Sequence, residues 1–381
     1  MKRVMVLLAK LVFNMMYGGS CLLRSDRRDE VLFVSRQTNE PSYDYRELAK
    51  DFEREGWTAR IHVKKLTKRS LLSYTVHVVK EIWYLSSCKV VILDRYDPVV
   101  SLIDFKCEDV HKSDVLPGQH FEFPCEPVVV QIWHAFGAFK KFGFQSIDTI
   151  EGHTSKAFND FSIHRNYSWI ICSGEGCRKA FSEAFSYPIE RVVVGRRPEY
   201  DKLIGLRDSK ESQDEATSKK QTILFAPTLR KSKESEHPFR SLYERRVFLE
   251  EQLDANLIWS FHPLESGLPA PGDVSDALLQ ADIVVTDYSS IVYEAYLLGK
   301  KVLFYVPDIE SYRKSPGLNV DPSDFCKDLI GKTDEGLVVL VRSRVCGLRG
   351  CGQLCDFVSN GLDANAETIF DIAFRMVGDD H

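Results

Sequence analysis

The sequence predicts an α/β protein built as two doubly wound Rossmann-like domains facing a cleft, and three observations carry that reading. Short apolar, β-branched runs alternate with stretches of helical spacing along the chain, the pattern of parallel sheets with helices on both faces. The alternation stops at Arg207–Gln221, which is almost wholly polar and charged, and restarts beyond it. A chain of 381 residues is too long for one ordinary core and suits two domains of roughly 150–200 residues each. The expected organisation is an N-terminal helix over 1–29, a first domain over 30–206, a linker over 207–221 and a second domain over 222–381.

The elements follow in order. Val31–Val34 is an apolar run that reads as a strand, and after a polar turn Tyr45, Leu48, Ala49 and Phe52 repeat at helical spacing up to Gly56. Thr58–Val63 and Val90–Leu93 read as strands around a helix from Leu71 to Tyr84. The β-branched content of Val128–Trp133 marks a buried strand. Trp169–Cys172 and Val192–Val194 continue the alternation around a helix near Glu175–Phe185. Beyond the polar break come strand Thr222–Ala226, a helix over Phe239–Leu253, strands Leu257–Phe261 and Ile283–Thr286, helix Ser289–Leu298 and strand Lys301–Tyr305.

Composition excludes several classes. The 44% hydrophobic and 28% charged content is that of a globular chain. A net charge of −5 gives no global basic field, so nucleic acid is not an expected partner. Ten scattered cysteines favour a reducing compartment over a disulfide scaffold. Cys351 and Cys355, beside Cys346, are spaced like half a zinc site, but no second pair lies nearby, so no metal is assigned there and the segment reads as a surface insertion. No sequence feature calls for a cofactor.

At the N-terminus, Val4–Ala9 and Leu11–Phe13 are apolar, but Lys10 interrupts a run shorter than the ~20 residues a membrane span needs. No cleavage site of the A-x-A kind follows, so a signal peptide fits poorly. Val4, Leu7, Leu8, Leu11, Val12 and Met15 fall near one helical face flanked by basic residues. Two readings stand: a helix lying in a membrane interface, or a helix packed on the protein itself.

Candidate chemistry gathers where strands end, the usual place for a ligand in open α/β sheets. His134 follows Val128–Trp133, and His262 follows Leu257–Phe261. Ala226, Pro227, Thr228 and Arg230 follow the first strand of the second half, and Thr286, Asp287, Tyr288, Ser289 and Ser290 follow Ile283–Val285 and open a helix. Free amides and hydroxyls at such a helix start attract anions, a diphosphate among them, although a plain helix cap uses the same residues. A neutral imidazole at His134 can act as general base. Lys140 and Lys141 could hold a phosphorylated substrate, or could form a solvated face. The P-loop, zincin and α/β-hydrolase motifs are absent.

These residues resemble those of the CDP-glycerol glycerophosphotransferases of teichoic-acid and capsule synthesis, in order from about Val31 to Val377. The family's first block is matched by Trp133, His134, Lys140, Lys141 and Gly143. Ala226–Arg230, His262–Pro263 and Thr286–Ser290 match the next three blocks. Phe304–Asp308 with Tyr312 resembles a fifth, and Gly361–Ile369 resembles the region of the closing helix.

The resemblance implies a GT-B-like fold whose first domain takes the acceptor and whose second binds a CDP-activated donor. It implies transfer of glycerol phosphate or ribitol phosphate from CDP-glycerol or CDP-ribitol to a polyprenyl-diphosphate-linked glycan, with CMP released at the inner face of the membrane. His134 inherits the role of base and is paired with His262 as the catalytic residues. Thr228, Arg230, His262, Ser289 and Ser290 inherit contacts to the donor, with Thr286 and Asp287 shaping the loop, and Lys140 and Lys141 contact phosphate or acceptor. An ordinary GT-B glycosyltransferase using a nucleotide sugar is the alternative. Three departures stand out. The first block reads H-A-F-G-A-F-K-K, Pro316-Gly317 replaces an expected Arg-Gly pair, and the segment Cys346–Cys355 has no counterpart.

Overall fold

The computed structural model describes residues 2–24, 26–36, 38–66, 71–108, 123–211, 220–230, 237–262, 265, 267–269, 274–343 and 352–378. In the first half, strands β1 (Arg28–Ser35), β2 (Thr58–Val63) and β3 (Cys88–Leu93) are followed by a short antiparallel pair, β4 (Lys106–Cys107) and β5 (Pro124–Glu126). Strands β6 (Val128–Gln131), β7 (Trp169–Cys172) and β8 (Val192–Val194) complete a parallel sheet of order β2-β1-β3-β6-β7-β8. The second half adds β9 (Thr222–Phe225), β10 (Asn256–Trp259), β11 (Ile283–Thr286), β12 (Lys301–Tyr305) and β13 (Ile330–Gly331) in the parallel order β10-β9-β11-β12-β13. The central strands are apolar over their inner residues, Val31–Val34, Val90–Leu93, Ile223–Phe225 and Ile283–Val285, all buried because helices cover both faces.

The two orders locate the binding edge. In the first sheet the chain steps outward from β1 to β2 and then returns to place β3 on the other side. The second sheet does the same around β9, with β10 on one side and β11 on the other. Such switch points open a crevice at the carboxyl ends of the strands. In the first sheet that crevice receives Arg95, and in the second it receives Ala226–Thr228 and Tyr288–Ser290.

Five strands fall where their spacing predicts: β2, β7, β8, β11 and β12. Others are trimmed at the end where function begins. β6 stops at Gln131, and β10 stops at Trp259, leaving the residues before each histidine in loops. The single helix expected over Phe239–Leu253 is two, Pro238–Glu244 and Arg246–Leu253.

Domain boundaries differ from the linear expectation in two places. The helix Pro198–Glu211 runs through the first residues of the polar break, and its Leu203 packs into the core of the second sheet; residues 212–219 lie outside the described residues. The helix Ile369–Gly378 returns to the first sheet, where Ile369, Ile372 and Ala373 share a core with Phe33, Phe52 and Ile92. The Phe52 and Phe370 rings meet at 5.0 Å. A helix assigned by position to the second domain therefore completes the first, and buries its apolar face there.

The N-terminal helix runs from Lys2 to Leu23 and is 22 residues long. The run expected to be too short to span continues through Asn14–Leu23, and by length and composition the helix could cross a membrane. One face packs on the first domain: Tyr17 meets Phe105 edge-on at 5.4 Å, and the Asn14 amide donates to the Leu102 carbonyl at 3.0 Å. The other face leaves Leu7, Leu8, Leu11 and Met15 more than half exposed.

Candidate active site

The two crevices face one cleft of about 570 Å³, lined from the first half by Arg95, Trp133, His134, Phe139 and Lys140 and from the second by Thr228, His262, Ser289, Ser290 and Glu294, among others. The placement of His134 begins at Gln131, fully buried at the end of β6. Its side-chain carbonyl accepts the Trp133 N–H at 2.9 Å, and its amide donates to the Arg95 carbonyl at 3.2 Å. Trp133 takes a positive φ of 56°, unusual for a bulky residue. Its indole stacks on Phe142 at 4.8 Å and meets Phe185 edge-on at 5.4 Å. With that side chain anchored in the first domain, the next residue is turned into the cleft.

The loop from His134 to Gly143 then crosses to the second half. Phe136 and Phe139 are buried in the second domain's core, Phe139 lying 5.0 Å from Phe357. Gly137 has φ 60°, and a Cβ there would stand 2.4 Å from the buried Tyr293 ring, so only glycine fits. Lys140 bridges Leu318, and the Lys141 N–H donates to the Gly317 carbonyl at 3.0 Å. Pro316-Gly317, the departure noted above, thus supplies a backbone partner for the two-lysine segment. Lys140 lines the cleft, whereas Lys141 is exposed, lies outside the lining, and lays its side chain along Gly317.

In the second half Asp287 is the post around which the loops are set. Its Oδ1 accepts the N–H groups of Thr228 at 2.7 Å and Tyr288 at 2.6 Å, and its Oδ2 accepts from Arg230 at 2.9 Å. Thr286, fully buried, donates its hydroxyl to the Ala226 carbonyl at 2.8 Å. Both residues therefore hold the loops from behind, and neither lines the cleft as a donor contact would.

Arg230 is placed otherwise than the donor-contact role implied. Its guanidinium pairs with Asp287 and, at 3.1 Å, with Asp308, and lies 4.4 Å from the Tyr312 ring centroid, away from the cleft lining. Two carboxylates already compensate this buried cation.

Ser289 and Ser290 line the cleft at the start of the helix Ile291–Leu297. Ser290 is the N-cap residue but its hydroxyl makes no capping bond, and Ser289 Oγ accepts the Ile291 N–H only weakly, at 3.4 Å. The helix has just seven residues, so its dipole is small and the hydroxyls are the principal polar groups at this end.

Electrostatics connect the two halves. Solvent reaches His134 within the cleft, yet protein surrounds it in most directions. That desolvation, with the Arg95, Arg197 and Lys140 cations, holds its pKa well below the ordinary imidazole value, against a hydrogen bond to the Asp94 main chain. His262 is lowered as well, by desolvation first, and Lys140 and Arg95 act on it in the same sense against Glu265. Both histidines line the same cleft as the Arg95 and Lys140 side chains that act on them.

Sequence reasoning missed Arg95 and Glu294. Arg95 stands two residues beyond β3, the same strand-end position that singled out the histidines, and its buried Nε has no hydrogen-bond partner among the described residues. Glu294 lies on the helix after Ser290, and burial pushes its carboxyl up to about 8. Of the cysteine cluster, Cys346 and Cys351 lie outside the described residues. Cys355 Sγ sits 3.1 Å from the Tyr296 hydroxyl.

Comparison with known proteins places the chain in a family. The family description CDP-Glycerol:Poly(glycerophosphate) glycerophosphotransferase matches residues 19–344. The teichoic acid ribitol-phosphate primase of Bacillus spizizenii is 25% identical over 363 residues, covering 89% of this chain and 88% of that protein. The teichoic acid poly(ribitol-phosphate) polymerase of the same organism is 28% identical over 260 residues, 62% of this chain but only 41% of the polymerase. The solved structure of the wall teichoic acid polymerase TagF superposes with a TM-score of 0.62 at 15% identity, covering 100% of this chain and 99% of that one, a likeness of fold. The chain belongs to the CDP-Glycerol:Poly(glycerophosphate) glycerophosphotransferase family.

Proposed function

We propose that this protein transfers glycerol phosphate or ribitol phosphate from a CDP-polyol to a hydroxyl of a lipid-linked acceptor in teichoic-acid or capsule-type polymer synthesis, releasing CMP. The observation that carries the reading is the pair His134 and His262 on one cleft, with Arg95 and Lys140 acting on both and the Ser289 and Ser290 hydroxyls on the same lining. A neutral His134 takes the proton of the acceptor hydroxyl as its oxygen bonds to the phosphorus that carries the polyol. The phosphoanhydride bond to CMP breaks, and the charge gathering on the leaving phosphate meets the Arg95 and Lys140 cations, the His262 imidazole and the serine hydroxyls. The acceptor attacks phosphorus directly, so no enzyme nucleophile is required.

The exposed stripe of the N-terminal helix supports peripheral docking on the cytoplasmic face of the membrane. Leu7, Leu8, Leu11 and Met15 are exposed on it, and the neighbouring helix Leu71–Leu85 also exposes Val76, Val79 and Trp83. Such a surface suits an acyl boundary, with Arg3 near its end for anionic headgroups.

The test is product release from CDP-glycerol, CDP-ribitol and UDP-sugars with a lipid-linked acceptor. CMP from a polyol donor is expected, and UDP release with no CMP overturns the proposal. His134→Ala should lower kcat by about 10²–10⁴-fold with the fold retained. Protonation silences the base, so the acid limb of the wild-type kcat profile should lie below the ordinary imidazole range.

A further inference from the structure

A second cluster of titratable groups lies outside the cleft, where β2 meets the helix Leu71–Leu85. His77 and Glu81 are four residues apart on that helix, so their side chains leave the same face one turn apart. His62, next to last in β2, meets them there, and its ring stacks on that of His77 with centroids 3.5 Å apart and planes 7° from parallel. One ligand-type atom from each of the three residues lies within 4.8 Å of the others.

Three features of the cluster are those of a metal site. The first is the state of His62. Its Nε2 faces the His77 carbonyl at 3.0 Å, a contact that requires the proton on Nε2 and leaves the lone pair on Nδ1. A ring nitrogen fixed by donating to a main-chain carbonyl is the usual outer support of a metal-bound histidine.

The second is Glu81, only 1% exposed. Its Oε1 is buried and has no hydrogen-bond partner among the described residues, a costly condition for a carboxyl oxygen. The third is Asp97, also buried, whose charge acts on Glu81 and whose Oδ1 accepts the Val99 N–H at 2.7 Å. It is a second carboxylate behind the first, and the pair is a concentration of acid that a cation would neutralise.

We propose that His62, His77 and Glu81 bind one zinc-class divalent ion, which ties strand β2 to the helix Leu71–Leu85 beside the acceptor side of the first sheet. Two imidazoles and a carboxylate are a common zinc set, completed to four by water. In a tetrahedral site with bonds of about 2.0–2.2 Å the ligand atoms stand roughly 3.3 Å apart. Binding would therefore draw the three atoms together by about 1.5 Å at most and turn the His77 ring out of its stack on His62, because a metal lies in the plane of each imidazole it binds. The site takes no part in the transfer chemistry, and the proposal does not depend on the reaction assigned above.

The experiment is metal uptake by the full chain. Protein stripped with a chelator and dialysed is titrated with Zn²⁺ by calorimetry and with Co²⁺ by visible absorption. Wild type should bind one equivalent more than Glu81→Gln or His77→Ala, and the Co²⁺ bands of a four-coordinate site should vanish in both variants. Glutamine is nearly isosteric with glutamate, so Glu81→Gln should keep its circular dichroism and melt like metal-free wild type. His77→Ala, on a half-buried position, is the second arm should the first fail to fold. Zn²⁺ should raise the melting temperature of wild type alone. Equal stoichiometry in wild type and both variants, as cysteine binding elsewhere would give, overturns the proposal.

Discussion

The side-chain carbonyl of Gln131 accepts the main-chain N–H of Trp133 at 2.9 Å, and through this one bond the end of a buried strand dictates where His134 goes. The same side chain holds Arg95 by its carbonyl, so one amide positions an imidazole and a guanidinium that reach the cleft from different strands. Gln131→Leu removes both bonds at nearly constant volume and leaves two main-chain groups without their partner. The expected cost is about 1–3 kcal/mol in stability. A loop displaced by about an ångström should also lower kcat by roughly tenfold to a hundredfold. Steady-state kinetics beside urea melts will check this, and unchanged kcat in a folded variant would remove Gln131 from the positioning of His134.

Glu294 gives a pH dependence of stability with a definite sign. Burial raises its carboxyl from the ordinary 4.5 to about 8 in the folded chain, with Glu199 acting in the same sense and Arg197 against it. Between those values the folded state holds a proton that the unfolded state has released. Stability therefore falls as pH rises from about 4.5 to about 8, and the loss is complete above the folded value. Glu294→Gln should flatten this part of the profile and melt above wild type at pH 9. A variant that melts in parallel with wild type at every pH would show that Glu294 is not protonated in the folded protein.

Arg230 separates a structural cation from a substrate contact. Its Nη2 reaches Asp287 at 2.9 Å and Asp308 at 3.1 Å, and Tyr288 and Tyr312, stacked at 3.9 Å, lie against it. Asp287 in turn holds the N–H groups of Thr228 and Tyr288. Arg230→Ala leaves a buried carboxylate without its cation, a change that costs about 3–5 kcal/mol. The expected signature is a large drop in the denaturation midpoint. A fully stable variant with only a raised KM for the CDP-polyol would instead return Arg230 to the donor's phosphates.

The sheets were legible because a strand covered on both faces is apolar at every position, as in Ile283–Val285, and turn chemistry marks its ends. The cleft histidines were legible because they stand where strands stop. Arg230 was misplaced for a related reason. It shares a strand-end segment with Thr228, but proximity in sequence does not tell which way a side chain leaves a loop, and its acidic partners Asp287 and Asp308 are distant in the chain. The helix Ile369–Gly378 joined the first domain because its apolar face matches Phe52 and Trp57, a long-range fit that no local pattern displays. Glu81 and His62 were equally invisible, since only the pairing of β1 with β2 and the docking of the following helix bring them together.

The N-terminal helix offers the test of where this enzyme works. Its inward face is fixed by Tyr17, Asn14 and the Arg27 guanidinium, which donates to the Tyr17 hydroxyl at 2.8 Å. Its outward face can therefore be changed without loosening the helix. Leu7, Leu11 and Met15 are exposed by 58%, 58% and 69%, and in an acyl boundary each would lose most of that surface. Replacing all three with glutamate removes apolar burial and adds three like charges to the phosphate repulsion. Binding to vesicles of anionic phospholipid should weaken at least about a hundredfold. Turnover of a short, soluble acceptor should remain at the wild-type rate, because the cleft is built from other elements. Raised salt should weaken the wild-type association without abolishing it, since apolar insertion is not screened. Sedimentation of the triple variant with vesicles as fully as wild type would mean that this stripe is not the docking surface.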